Sequence, residues 1–213
     1  MAVSNRRAQE KQERAESILD AAEQVFFSKG FSQSSMDQIA QKAGLSRSLL
    51  YVYYKDKSAI MRGVMLRAAE ELERRFAAAL AQGSTGLEQI KGIGLAYYTF
   101  SKDASDYFDV LTDMSTFPMP AQTDEDMQQL GCCRQKATEL MMQALQNGLC
   151  DGSLDPQQVR DTFQTAFYLQ GALHGVIMIT RSPVPSEQYP DGDGLVMYSM
   201  EMLSESMRAK TQN

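Results

Sequence analysis

Histidine is almost missing from this chain: it occurs once, at His174. A multi-histidine metal centre is thereby excluded, as is a catalytic triad with its histidine base anywhere else. Cysteine is sparse as well. Cys132 and Cys133 are adjacent and Cys150 stands apart, a poor disulfide framework that fits a reducing, cytoplasmic setting. Adjacent cysteines fall on different faces of a helix, and only Arg134 and Lys136 are close in sequence to lower a thiol pKa, so thiol or metal sensing is a minor alternative. No run of about 18 apolar residues occurs, so no membrane span is expected. Residues 1–11 lack the apolar middle of a secretory signal. The sequence shows no nucleophile–base pair, no metal-ligand spacing and no phosphate-cradling glycine loop, which argues against an enzyme and calls for no cofactor. No stretch alternates with the two-residue period of a strand, and there is no internal repeat.

What is there is an ordinary globular composition, 43% hydrophobic and 23% charged over 213 residues, enough for one sizeable core or two small domains. The charge is unevenly spread. The whole chain carries −6, yet residues 1–67 hold 11 Lys/Arg against 7 Asp/Glu, a net +4, and the remainder is −10. An electropositive first third on an acidic body suits one end that meets a polyanion.

The helical period runs throughout, and the sequence predicts an all-α fold of about nine helices. Residues 1–14 are polar, without apolar period, and read as a flexible basic arm bearing Arg6, Arg7, Lys11 and Arg14. Ile18, Ala21, Ala22, Val25 and Phe26 then mark one face of an amphipathic helix ended by Gly30. Ser35 and Gln38 form a capping box for a helix to about Lys42. Gly44 closes it, Ser46 caps the next helix (about Arg47 to Tyr53), and Asp56 caps a long one from Lys57 to about Gln82. Beyond the break at 82–86 lie helical patterns at about 86–101, 104–116 and 124–147. Asp155-Pro156 is read as the cap and first residue of a helix to about Thr180, and a last helix ends near Lys210. The domains expected are a helix-turn-helix unit over 15–60 and a helical body over 61–213.

The segment 39–57 has the most specific pattern. A first helix buries Ile39, Ala40 and Ala43, a glycine makes the sharp turn, and a second helix exposes polar groups at its start, as a DNA-reading helix must. Arg47 suits guanine or a phosphate and Val52 a thymine methyl, with Ser46, Ser48 and Tyr51 beside them. Ser35, Tyr53 and Lys57 are better placed to grip phosphates.

Residues 18–66 resemble the N-terminal domain of the TetR family of bacterial transcriptional regulators. The resemblance rests on Ile18, Ala21, Ala22, Phe26, Gly30, Phe31, Ser35, Ile39, Ala40, Ala43 through Ser46, Leu50, Tyr51, Tyr54 and Lys57. It implies a homodimer with a three-helix DNA-binding domain and a C-terminal body that binds a small-molecule effector. The chain departs from the family's habit at Ser35 (often Thr), Ser48 (often Gly), Val52 (often His) and Tyr54 (often Phe), and Val52 makes the operator hard to infer.

For the body, Tyr97, Phe100, Phe108, Met114, Phe117, Phe167 and His174 are candidate effector contacts, though a helical core is the plainer reading of any one of them. Fourteen methionines fit a pocket for a partly apolar ligand, and the acidic balance mildly favours a neutral or cationic one. Gly171 and Gly175 allow close helix approach, and with Leu195, Met200 and Leu203 they are candidates for a subunit interface. The expected partners are therefore a double-stranded DNA operator, an effector and a second copy of the chain. A helical interaction module without DNA binding is the alternative.

Overall fold

Glycine, serine and aspartate punctuation divides the chain into helices in the computed structural model, which describes residues 2–112, 125–181 and 191–209. Among them nine α-helices follow in order: α1 (Ala2–Lys29), α2 (Met36–Lys42), α3 (Arg47–Tyr53), α4 (Lys57–Gln82), α5 (Gly86–Asp103), α6 (Ser105–Thr112), α7 (Glu125–Cys150), α8 (Thr162–Thr180) and α9 (Gly192–Met207). No strand occurs among the described residues, so the all-α expectation holds. The chain forms two compact units: Met1–Ala68 with Asp106–Leu130, and Ala69–Ser105 with Gly131–Asn213.

In the first unit the apolar stripe of α1 buries Ile18, Ala22 and Phe26, α2 buries Ile39 and Ala40, and α3 buries Leu50. Helix α4 adds Ile60 and Val64 to this buried set. A polar cluster ties α4 to α1. Arg67 Nη1 donates to Asp20 at 2.8 Å and to Glu23 at 2.9 Å, and Nη2 donates to the Glu16 carboxylate and, at 3.0 Å, to its carbonyl. Tyr107 of α6 completes it, donating its hydroxyl to Glu23 at 2.8 Å while its ring meets Phe27 edge-on.

One expectation changes here. Residues 2–14, read as a structureless arm, continue α1 as helix. They contain neither glycine nor proline, and side-chain pairs spaced i, i+4 line the surface: Arg6 with Glu10, Gln9 with Glu13, Gln12 with Glu16. Such pairs each favour helix by a few tenths of a kcal/mol, about 0.2–0.5.

In the second unit, Thr85 and Glu88 form a capping box for α5, and the next two amides donate to Asp151 at 2.7 Å and Ser153 at 3.1 Å. These groups satisfy the donors that a helix start leaves open. Gly86 sits so close to α7 that a Cβ there would lie 2.0 Å from the Gly148 nitrogen. Helix α7 runs on through Asn147 and Gly148 to Cys150, past the turn expected there. Asp193 at the start of α9 accepts from Tyr98 and, at 2.7 Å, from Lys102, which pins α9 to α5.

Asp155-Pro156 does not begin α8. The Asp155 carboxylate accepts from Gln157 N at 2.8 Å, its amide donates to Met207 O, and Leu154 bridges to Arg208. Leu154 and Val159 are both buried, so the segment is held as a turn by packing, and Asp161 caps α8 instead through Gln164 N at 2.9 Å.

Candidate nucleic-acid interface and enclosed cavity

The turn between α2 and α3 has its geometry set by Gly44, at φ +66°. Leu45 N donates to Ala40 O at 2.9 Å and Gly44 N to Gln41 O at 3.2 Å, the paired bonds of a helix ending in a left-handed residue. An L side chain strains this conformation. On the α2 side the Ser35–Gln38 capping box is present in both directions, at 3.3 and 3.0 Å. On the α3 side Ser46 accepts from Leu49 N at 3.3 Å, and its hydroxyl lies 3.1 Å from that of Ser48.

Helix α3 buries Leu50 and presents its other face outward. Val52 is 71% exposed and Tyr51 43%, so both stand clear of the core, with Arg47 and Ser48 exposed beside them. Arg47 Nη1 donates to Asp37 at 3.2 Å and its guanidinium lies 5.6 Å over the Tyr51 ring. The Tyr51 hydroxyl and the Asp37 charge both hold the Arg47 pKa above its ordinary value. Both partners of the ion pair are more than 60% exposed, so the pair is weak and a stronger anion would displace it. Tyr53 is half-buried.

Lys57 has a different setting from the one its sequence position implied. Its Nζ donates to the carbonyls of Phe31 at 2.6 Å and Ser34 at 2.7 Å, and lies 4.2 Å over the Phe31 ring. Burial lowers its pKa. The ammonium staples the 31–34 turn to the start of α4, where Asp56 caps through Ala59 N at 2.7 Å. Farther back on α1, Arg7, Lys11 and Arg14 recur at i, i+4 and i+7, giving one exposed basic stripe.

The second unit holds a small apolar cavity of about 50 Å³ that is partly open to solvent. Ile90, Ile93, Gly94 and Tyr97 line it from one face of α5, with Lys91 at its edge. Helix α8 contributes Leu169, Gln170 and Leu173, and α9 contributes Met200, Leu203 and Ser204, with Phe76 and Met141 completing the wall. Tyr97 meets Phe76 edge-on, with ring centroids 6.3 Å apart. The Tyr97 hydroxyl lies 2.8 Å from His174 Nδ1. Burial pushes the tyrosine up to about 12 and lowers the histidine, so the pair is neutral near pH 7.

Of the candidate effector contacts, Tyr97 lines this cavity and His174 touches it through Tyr97. Phe100 is fully buried with Arg75 5.4 Å over its ring, and Phe108 is buried in a helix of the other unit. Phe167 is 52% exposed and faces outward beside Phe163. Met114 and Phe117 lie outside the described residues. Met200 and Leu203, expected at a subunit interface, turn into the cavity, while Leu195 is half-buried. Gly171 and Gly175 are exposed, with open space where a Cβ would stand. The cavity residues of α5 that sequence reasoning missed had a partial signal: Ile90, Ile93 and Gly94 share a helix face with Tyr97 by their spacing.

The three thiols are free. Cys133 is buried, and burial first, then Glu73 and Glu70, raises its pKa, away from the thiolate that redox chemistry requires. No group of His, Cys, Asp or Glu among the described residues could hold a metal ion. No helix among them is long and apolar enough to cross a membrane.

Residues 18–64 match the family described as bacterial regulatory proteins, tetR family. The HTH-type transcriptional regulator SrpR of Pseudomonas putida is 34% identical over 74 residues, which are 35% of each chain. The chain thus spans about a third of that curated relative's length in alignment. In three dimensions the likeness extends further. A tetR-family regulatory protein from Rhodococcus RHA1 superposes with a TM-score of 0.68 at 19% identity, covering 93% of this chain and 98% of that one. The regulator FadR of Bacillus subtilis, solved in complex with stearoyl-CoA, gives 0.67 at 18% identity, covering 90% and 98%. Identities this low establish the shared fold.

Proposed function

The chain belongs to the TetR family of bacterial transcriptional regulators, and on that premise we propose that it is a dimeric, effector-responsive repressor of transcription. The observation that carries the DNA-binding part is α3 itself: a short helix fixed by a glycine turn and a serine cap, with one buried leucine and an outward face of Arg47, Ser48, Tyr51 and Val52. In this reading Arg47 and Val52 meet base edges, and Ser35, Ser46 and Tyr53 hold phosphates. Lys57 serves the interface from behind by fixing the 31–34 turn.

Two such helices read a palindrome when held about 34 Å apart, one turn of DNA. The surface that supports pairing is apolar and exposed on α8 and α9. Phe163, Phe167 and Tyr168 on α8 are each more than half exposed, and Tyr198 and Met202 on α9 likewise. Apolar exposure on this scale marks an association surface, and the bare backbone at Gly171 and Gly175 lets a second helix approach closely. The occupant proposed is the same face of a second copy.

The cavity supports effector binding, and the FadR structure of the same fold was solved in complex with stearoyl-CoA. Helix α4 begins at Lys57 and also supplies Phe76 to the cavity wall. In this reading a ligand that favours one position of Phe76 biases α4, whose first turns belong to the DNA-binding unit, and operator affinity weakens by linkage. In this reading the protein works in the cytoplasm.

The test is DNA selection from a random duplex pool with the full chain, followed by mobility shift of the enriched site. Wild type is expected to enrich a palindrome and Arg47→Ala to lose at least tenfold in affinity for it. Failure of wild type to enrich any sequence would leave the helical interaction module as the better reading.

A further inference from the structure

Arg47 is the only cation of α3, and two neighbours hold its side chain. Nη1 donates to the Asp37 carboxylate of α2, 3.2 Å away across the glycine turn. The guanidinium also lies 5.6 Å over the ring of Tyr51, one turn farther along its own helix. Asp37 stands in the first turn of α2, just after the Ser35 cap. Both members of the pair are exposed, so the contact adds little to stability. Its consequence lies in what Arg47 can bind.

An arginine on a DNA-facing helix has two kinds of partner, a phosphate or a guanine edge. The phosphate is an anion, and Asp37 meets it with like charge beside the guanidinium. Guanine presents O6 and N7, neutral acceptors that the carboxylate does not oppose. Asp37 occupies Nη1, one position of a fork that has several N–H groups, so a bidentate contact remains open. The paired Arg47 therefore keeps its hydrogen bonds while its attraction for the backbone is reduced. We infer that Asp37 is a positioning residue that sets specificity: it turns Arg47 away from the phosphates and toward a guanine in the major groove. This rests on the DNA-binding reading of α3. An acidic residue in a first turn also favours the helix start, so a general loss of affinity on its removal would not reveal this role.

Selection from a random duplex pool with the full chain, followed by competition binding in which each base pair of the enriched site is varied, reads preference position by position. Arg47→Ala is expected to abolish a preference for guanine at one position of that site. Asp37→Ala should lower the preference at the same position about threefold to fivefold and leave the other positions as they are. It should also raise affinity for random duplex, with a salt slope steeper by about 0.9 for each phosphate that Arg47 gains. Asp37→Glu keeps the charge and should retain most of the preference. In the Arg47→Ala background, Asp37→Ala should change nothing at that position. A loss by the same factor for every sequence would make Asp37 a helix-start residue only and overturn the inference. An unchanged preference in Asp37→Ala, or an Arg47→Ala variant that loses no base preference, overturns it equally. Wild type that enriches no sequence refutes the DNA-binding reading itself, and the inference falls with it.

Discussion

Replacing Arg67 by methionine should lower the stability of the DNA-binding unit by about 2 kcal/mol. The side chain is 19% exposed and meets three carboxylates, of which Asp20 and Glu16 are 64% and 46% exposed and Glu23 only 17%. The two exposed pairs contribute little, at most about 1 kcal/mol each and often none. The weight falls on Glu23, which would keep its buried charge and its bond from Tyr107 but lose its cation. Breaking a fully buried pair costs about 3–5 kcal/mol, and partial solvent access at this site reduces that to about 2. Methionine preserves most of the aliphatic stem, so lost packing adds little. For a chain of this size the midpoint of thermal unfolding falls by about 2–4 °C per kcal/mol, so circular dichroism at pH 7 and matched protein concentration should show a drop of about 4–8 °C. Arg67→Lys keeps the charge and loses the planar fork, and should fall between. In the double variant with Glu23→Gln the two losses should overlap by about 1 kcal/mol or more. A midpoint within about 2 °C of wild type, or strictly additive losses, would refute the assignment of Glu23 as the partner that matters.

Lys57→Met should destabilise the same unit yet leave the salt dependence of operator binding unchanged, because its ammonium is spent on two carbonyls; a slope lower by about 0.9 would show a phosphate contact instead. Gly44→Ala, at φ +66°, should cost about 1 kcal/mol in thermal unfolding and weaken operator binding with it. Phe167→Asp places a charge on the exposed face of α8 and should shift sedimentation from dimer to monomer at micromolar concentration, with the melting of each subunit's helices retained by circular dichroism. Burial lowers His174 from 6.5, so unfolding takes up a proton there, and stability is full above that value and declines as pH falls below it. His174→Gln should flatten the midpoint between about pH 7 and 5.5, and an unaltered slope would place the titration elsewhere.

Local chemistry was the legible part of this chain. Ser35 with Gln38, Ser46 and Asp56 each act within three residues of themselves, so the sequence spacing alone specifies the helix starts. Gly44 is readable for the same reason. Asp155-Pro156 carries as good a local signal as Asp161 and yet loses, because Leu154 and Val159 are buried and the Asp155 amide is held by Met207, partners more than fifty residues away in the case of the last. Spacing placed Ile90, Ile93 and Tyr97 on one face of α5 but could not say that this face borders empty space while Phe100 fills the core. Met200 and Leu203 show the same limit. An apolar stripe on α9 serves a cavity or a neighbouring subunit equally well until the packing of α5 and α8 against it is known.

The contact at Gly86 restricts how descendants of this protein can change. The atoms that a Cβ would strike there belong to the main chain of Gly148 and Ala144, so no second-site replacement of a side chain can make room. Position 86 should stay glycine through prolonged mutational drift under selection for folding, while its neighbours vary. A lineage that loses it must shift α5 off α7, and α5 carries Ile90, Ile93 and Tyr97 into the cavity. New ligand preferences are then reached through changes on α8 and α9, so a residue that no ligand touches decides which walls of the binding site evolution can move.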